Sequence, residues 1–461
     1  MRRCAALLLA AILAWVLLPS AAHAAAGVTF HDASGIQVAK VTRIDERQYD
    51  ITVSTTALGR SVDVRVLVPA NYGQSEARLP VLYLFHGTSG RASDWVNFGH
   101  AEQSTAGLPL IVVMPDAGFD GDGGGWFTNW VDTKTALGPS QWETFHIDQL
   151  VPWVDANLRT IANRGGRAVA GLSQGGFGSM TYAARHPDIF VSAASFSGAP
   201  DIDYDPAIAA GATGIIDATE VGLDGVEPDA MFGSRVTDEI NWQGHDPTDL
   251  VENLRPVDLW LYTATGAPGP YDTGAPNPSA MGIEFATHMS TEGFVERAEQ
   301  LGVPFHLDDY TYGTHSWPYW SRDLVAYLPH LMAALDHPPA VPARIDYEST
   351  AATWSQWGWT VALSRSAPQE LSALTGAGRT GFTLQGTGNA TVTTPAYYRP
   401  GEPAVITVAG QRPLVAKADP GGQLTVSVPL GADVALPAVV GVPVIPGPAV
   451  SVTIALPSSR S

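Results

Sequence analysis

The segment Gly171-Leu172-Ser173-Gln174-Gly175, with Gly176 behind it, follows the apolar run Ala168 to Leu172 and opens a helical stretch through Met180 and Ala184. A serine flanked by glycines at a strand-to-helix turn is the arrangement of a nucleophile elbow. The turn is too tight for neighbouring side chains, and it lifts the serine hydroxyl clear of the sheet. The chemistry it suggests is acyl transfer through Ser173, with the Gln174 N–H beneath the developing oxyanion.

A serine hydroxyl attacks poorly until a base takes its proton, so a histidine is required later in the chain. Of the 12 histidines, His315 lies in Tyr312-Gly313-Thr314-His315-Ser316-Trp317, after the strand candidate Phe305 to Tyr310 and before a helix near Pro318. An α/β-hydrolase places its histidine there. His100, His146 and His245 follow no strand end in the required order, while His186 and His330 sit on or beside helices. The acid should come after the strand Asp258 to Thr263, and both Asp272 and Glu284 qualify. Asp308 and Asp309 fall on the next strand. A second oxyanion donor is expected from the loop after Val81 to Phe85, where His86-Gly87-Thr88 places the Thr88 N–H opposite that of Gln174; His86 reads as shaping that turn.

These residues need a scaffold. Tyr49 to Thr55 and Ser61 to Val68 alternate as half-buried antiparallel strands do. Continuous apolar runs follow at Val81 to Phe85, Leu110 to Met114, Ala168 to Leu172, Val191 to Ser195 and Asp258 to Thr263, with helical patterns between them. One such helix is expected to start at a Ser140/Glu143 capping box. Strands alternating with helices predict an α/β fold with a mostly parallel central sheet, the α/β-hydrolase fold. The proline-rich 338–343 reads as a stiff linker between a catalytic domain, 25–337, and a C-terminal all-β, sandwich-like domain, 344–461. Its expected strands include Gly381 to Gln385, Ala390 to Thr393, Ala404 to Val408, Leu414 to Lys417 and Leu424 to Val428, with more strand or extended tail in Val434 to Pro457.

Composition narrows the function. The 461 residues carry 25 Lys+Arg against 45 Asp+Glu, a net charge of −20, without the cationic footprint that nucleic acid demands. Thirteen Trp, 14 Tyr and 14 Phe require a core. Arg2 and Arg3, the apolar run Ala5 to Leu18 and Ala22-His23-Ala24 form an export signal, expected to end at residue 24. It contains the chain's one cysteine, Cys4, so the mature protein would be secreted without disulfides. Asp120-Gly121-Asp122-Gly123 begins like a calcium loop, but its twelfth position is Val131, so a loop near the substrate cleft is expected and no metal or cofactor. Trp354, Trp357 and Trp359 are a candidate carbohydrate platform or, as the preferred reading, buried anchors between the domains.

Thr314-His315-Ser316-Trp317-Pro318-Tyr319-Trp320, Trp142-Glu143-Thr144-Phe145, the Gly-Leu-Ser elbow and Asp246-Pro247-Thr248 before Leu259-Trp260-Leu261-Tyr262 resemble the secreted mycolyltransferases of the antigen 85 complex, in the esterase D-like branch of α/β-hydrolases. The resemblance covers roughly Pro80 to Leu335. It implies Ser173 as nucleophile, His315 as base, Glu284 in Ile283-Glu284-Phe285 as acid with Asp272 in reserve, Thr88 at the oxyanion position and Trp317 beside the substrate. His86, Ser89 and Trp126 complete the candidate substrate surroundings. Where the family carries Asp-Gly-Leu-Arg, this chain has His86-Gly87-Thr88-Ser89, so the aspartate and arginine that help hold trehalose are missing. The expectation is therefore a secreted serine esterase acting on an acyl ester, such as a lipid or sugar ester. The alternatives are an acyltransferase to trehalose or another alcohol, and a non-catalytic secreted protein that contacts the cell wall through its C-terminal domain.

Overall fold

A computed structural model of the chain describes residues 28–121, 123–432 and 438–456. The expected export signal lies outside them, as does Asp122. Nine strands form the main sheet: β1 (Gln37–Arg43), β2 (Gln48–Ser54), β3 (Val62–Leu67), β4 (Val81–Phe85), β5 (Ile111–Pro115), β6 (Arg167–Leu172), β7 (Ser192–Phe196), β8 (Asp258–Thr263) and β9 (His306–Asp309). Their spatial order is β1-β2-β3-β5-β4-β6-β7-β8-β9. β1 to β3 pair antiparallel and β3 joins β5 antiparallel, whereas β4 to β9 are joined in parallel.

The continuous apolar runs are explained by burial on both faces. From β4, Val81, Tyr83 and Phe85 join Phe177, Met180 and Tyr182 of helix α1 (Gln174–Arg185) in one cluster. Leu82 and Leu84 point the other way, into a cluster with Leu324, Tyr327 and Leu331 from a C-terminal helix of the sheet domain, Trp317–Asp336. β1, exposed along most of its length, gave no such signal.

The Ser140/Glu143 expectation is corrected. Ser140 Oγ donates to Gly138 O instead of capping, and the segment begins as a π-helical stretch at Thr144–Leu150 before regular helix at Val151–Asn157. Glu143 is buried and bonded to Arg185 and His186. Arg185 is a stronger partner for a buried carboxylate than a backbone N–H, and it holds the acid well below its usual range against the opposing effect of burial.

Beyond residue 344 lie two antiparallel sheets. One contains Ile345–Ala351, Gln369–Gly378, Gly381–Gln385, Ala449–Ala455, Pro403–Val408 and Leu414–Lys417; the other contains Thr353–Gln356, Trp359–Ser364, Gly388–Thr393 and Thr425–Gly431. Their inward residues enclose a second core that includes Trp359, Leu374, Leu384 and Val428. Tyr347 Oη and Gln356 Nε2 both donate to Arg185 O at 2.8 Å, and Asn253 exchanges two hydrogen bonds with the Glu348 backbone. Trp359 is buried inside the β core, which corrects its reading as an anchor between domains; Trp354 packs on Tyr347, which bonds Arg185, and Trp357 lies at the junction.

Candidate active site

The parallel strands set the site. Leu172, Phe196 and Tyr262 are in register at the C-terminal ends of β6, β7 and β8, so the residues that follow them emerge side by side. Ser173 follows Leu172 with φ 54° and ψ −123°. A non-glycine residue in that region carries about 1–3 kcal/mol of backbone strain, which the surroundings must hold. They do so by excluding side chains. A Cβ on Gly175 would stand 2.4 Å from His86 O, and one on Gly171 would stand 2.3 Å from Gly175 O.

Glu284 is fully buried on the long helix α2 (Pro278–Leu301), whose N-cap is Asn277. Its Oε1 accepts from Ser197 Oγ (2.8 Å) and from the Ala264 N–H (3.0 Å), both just past the ends of β7 and β8. Its Oε2 meets His315 Nδ1 at 2.8 Å. His315 Nε2 is buried and has no hydrogen-bond partner among the described residues. Ser197, with φ 48°, was missed in the sequence; a Ser-Gly pair directly after a buried strand was the available signal.

Asp272 lies elsewhere. It accepts from Tyr319 Oη (2.7 Å), the Gly269 N–H (2.8 Å) and Thr314 Oγ1, and these bonds hold its carboxyl below the usual range although burial opposes them. It fixes the residue before His315 while His315 itself is bonded to Glu284.

Gln174 is the first helical residue, so its N–H has no partner within the helix. Its side-chain amide donates to Thr88 Oγ1 at 3.1 Å, joining the two stretches assigned to the oxyanion donors. Gly87 lies against the nucleophile: a Cβ there would stand 3.1 Å from Ser173 Cβ. His86 does not face a substrate, which corrects its place among the surrounding residues. It is buried, its Nε2 accepts from the Ala117 N–H (2.9 Å), and its Nδ1–H donates to Gly87 O (2.8 Å). Burial pushes its pKa down, keeping it the neutral ring that this pattern requires. Ser89 is exposed and its N–H donates to Gly123 O at 2.6 Å. Trp317 packs on Trp95, Phe98 and Trp320, and Trp320 in turn meets the His315 ring edge-on at 4.9 Å.

Trp126 is buried against Phe177 and lines a groove of about 360 Å³. The groove runs between the helix Pro206–Thr219, through Ile208, Ala212 and Ile215, and α2, through Ile283, Phe285 and Met289. Ile283 and Phe285 flank Glu284 in the chain, so the groove and the Glu284–His315 pair share the first turns of α2. No motif or periodicity in the chain marks this groove. Asp120, from the calcium-like loop, is exposed and paired with Arg60 at 2.8 Å. Among the described residues no cluster of three or more His, Cys, Asp or Glu is arranged for a metal ion, and no helix is long and apolar enough to cross a membrane.

Fold and site define an α/β-hydrolase. Residues 55–331 match the family model described as "Putative esterase", and the chain belongs to that family. It is 36% identical over 236 residues to Esterase Rv1288 of Mycobacterium tuberculosis, an alignment covering 51% of this chain and 49% of that protein. The chain thus spans about half the length of that relative. It is 30% identical over 301 residues to the diacylglycerol acyltransferase/mycolyltransferase Ag85A of the same organism, covering 63% of this chain and 82% of the other. The crystal structure of M. tuberculosis MPT51 superposes with a TM-score of 0.50 at 26% identity, covering 64% of this chain and 99% of that one.

Proposed function

We propose that this chain is a secreted serine esterase that cleaves carboxylic esters through an acyl-enzyme on Ser173. The observation that carries the reading is the 2.8 Å contact between His315 Nδ1 and buried Glu284, which leaves His315 Nε2 unpartnered. In the first step Ser173 Oγ attacks the ester carbonyl while His315 Nε2 takes its proton. Glu284 holds the Nδ1–H tautomer and stabilises the imidazolium. The Thr88 and Gln174 N–H groups bind the oxyanion, each contributing roughly 10²- to 10³-fold in rate. Collapse expels the alcohol, protonated by His315. A water deprotonated by the same nitrogen then releases the acid and restores Ser173.

The groove beside Trp126 supports an acyl chain as the apolar part of the substrate, since each buried methylene contributes about 0.8 kcal/mol. Transfer to an alcohol is the second reading, favoured by the similarity to Ag85A. Against trehalose as acceptor stands His86-Gly87-Thr88-Ser89, in which His86 is occupied by backbone and Ser89 stands where the family carries its arginine. Ser173→Ala is expected to abolish hydrolysis of nitrophenyl acetate and octanoate; full activity in that variant would overturn the assignment. Acylated trehalose or acylated diacylglycerol as the main product, with those acceptors present, would favour transfer.

A further inference from the structure

We infer a second binding site, for a short neutral oligosaccharide, at the junction of the sheet domain and the β domain. A cavity of about 470 Å³ lies there, lined from one side by Glu252, Arg255, Asp258 and His306 and from the other by Arg344, Asp346 and Trp357. Asp258 opens β8, so this cavity borders the N-terminal edge of the parallel strands, whereas Ser173 follows the C-terminal end of β6. A ligand bound here cannot be the ester under attack. The site would hold the enzyme on a polymer, and the inference stands whatever ester Ser173 cleaves.

The lining carries the chemical class. Sugars are recognised by an aromatic face for their C–H surface together with planar polar groups for adjacent hydroxyls; half-buried Trp357 lines the wall with Asp346 and Arg344, each bonded to the Gly376 backbone through one atom, while Glu252 and Arg255 pair with each other. Trp357 is held in place: its φ is 53°, its N–H is accepted by Asp188 Oδ2 at 2.8 Å, and the Arg164 guanidinium meets its ring 5.2 Å from the centroid. Arg164 in turn donates to Pro187 O, Pro256 O and Pro339 O, tying the proline-rich segment 338–343 to the sheet domain. Pro339 and Pro342 form part of the wall, so little ordering remains to oppose binding. With Glu252 paired to Arg255, Asp258 and Asp346 outnumber Arg344, which disfavours an anionic sugar. The volume is that of an ordinary small-ligand site, about 300–1,000 Å³.

The test is calorimetric titration of the whole protein with maltotriose, cellotriose, xylotriose and chitotriose, each up to about 10 mM. At least one is expected to bind, and Trp357→Ala should weaken it about tenfold or more while nitrophenyl ester hydrolysis stays at the wild-type level. His306→Ala removes an exposed wall residue and should weaken binding without disturbing the fold, so it decides the matter if Trp357→Ala does not fold. Binding of none of the four sugars, or binding that neither variant alters, would overturn the inference.

Discussion

Replacing Glu284 by glutamine tests the proposed catalytic geometry most directly, because the shape is kept while charge and donor pattern change. The Oε1 position accepts from Ser197 Oγ and the Ala264 N–H, so the glutamine carbonyl must occupy it. The amide NH2 is then directed at His315 Nδ1, where the carboxylate had accepted. Two donors cannot face each other, so the imidazole must carry its proton on Nε2, the nitrogen that has to receive the Ser173 proton. The charge is lost as well. At an effective dielectric of about 20 and a charge separation of about 4 Å, the carboxylate stabilises the imidazolium by about 4 kcal/mol, or about 10³-fold. Tautomer and charge together should lower kcat/KM for nitrophenyl esters by about 10³- to 10⁴-fold, in line with amide-for-carboxylate changes in other Ser-His-acid triads. The thermal midpoint should be recorded alongside to confirm folding. A variant that folds normally and keeps kcat/KM within about tenfold of wild type would refute the reasoning. Asp272→Asn should cost far less, since Asp272 contacts Thr314 and Tyr319 and not the imidazole.

Gly87→Ala places a methyl 2.7 Å from Leu172 Cδ1 and 3.1 Å from Ser173 Cβ, and the displaced nucleophile should lose about 10²-fold in kcat; unchanged single-turnover acylation would contradict that contact. Ala286→Trp fills the groove between the two helices, so octanoyl esters should lose about tenfold in kcat/KM while acetyl esters stay near wild type; a uniform loss would show that no acyl chain lies there. Stability should be greater at pH 5.5 than at pH 8. Burial raises Asp116, Glu220 and Glu348 to about 7, and burial with neighbouring carboxylates raises Asp246 and Asp249 well above the usual carboxyl range. Their folded values exceed the unfolded ones, so the stability they contribute is complete near pH 4 and is lost as pH rises through about 7. His146 acts in the opposite direction: burial lowers it to about 3, so its contribution is complete above about 6.5 and is lost as pH falls below that. The carboxyls outnumber the buried histidines, and a thermal midpoint that rises from pH 5.5 to pH 8 would refute this balance.

The chain alone determined the parts of the protein whose signals are local. The glycines around Ser173 announce an elbow because only a side-chain-free backbone can pass His86 O and Gly175 O at the distances found. The runs at β4, β5 and β6 announce buried parallel strands because both faces are covered. The stretch around His315 and its place after the strand candidate Phe305 to Tyr310 were equally legible. Other features depend on residues far apart in sequence. Glu284 and Asp272 were equal candidates by order, and their difference lies in which one the turn after β8 and the start of α2 bring to His315 Nδ1. Ser197, just past β7, gained its partner from a helix 87 residues later in the chain. Glu143 looked like a cap by spacing, until a distant Arg185 offered a charged partner in the core. The groove beside Trp126 and the cavity beside Trp357 exist only between elements that meet in three dimensions. A sequence records which side chains can bury or react; packing decides which of them face one another.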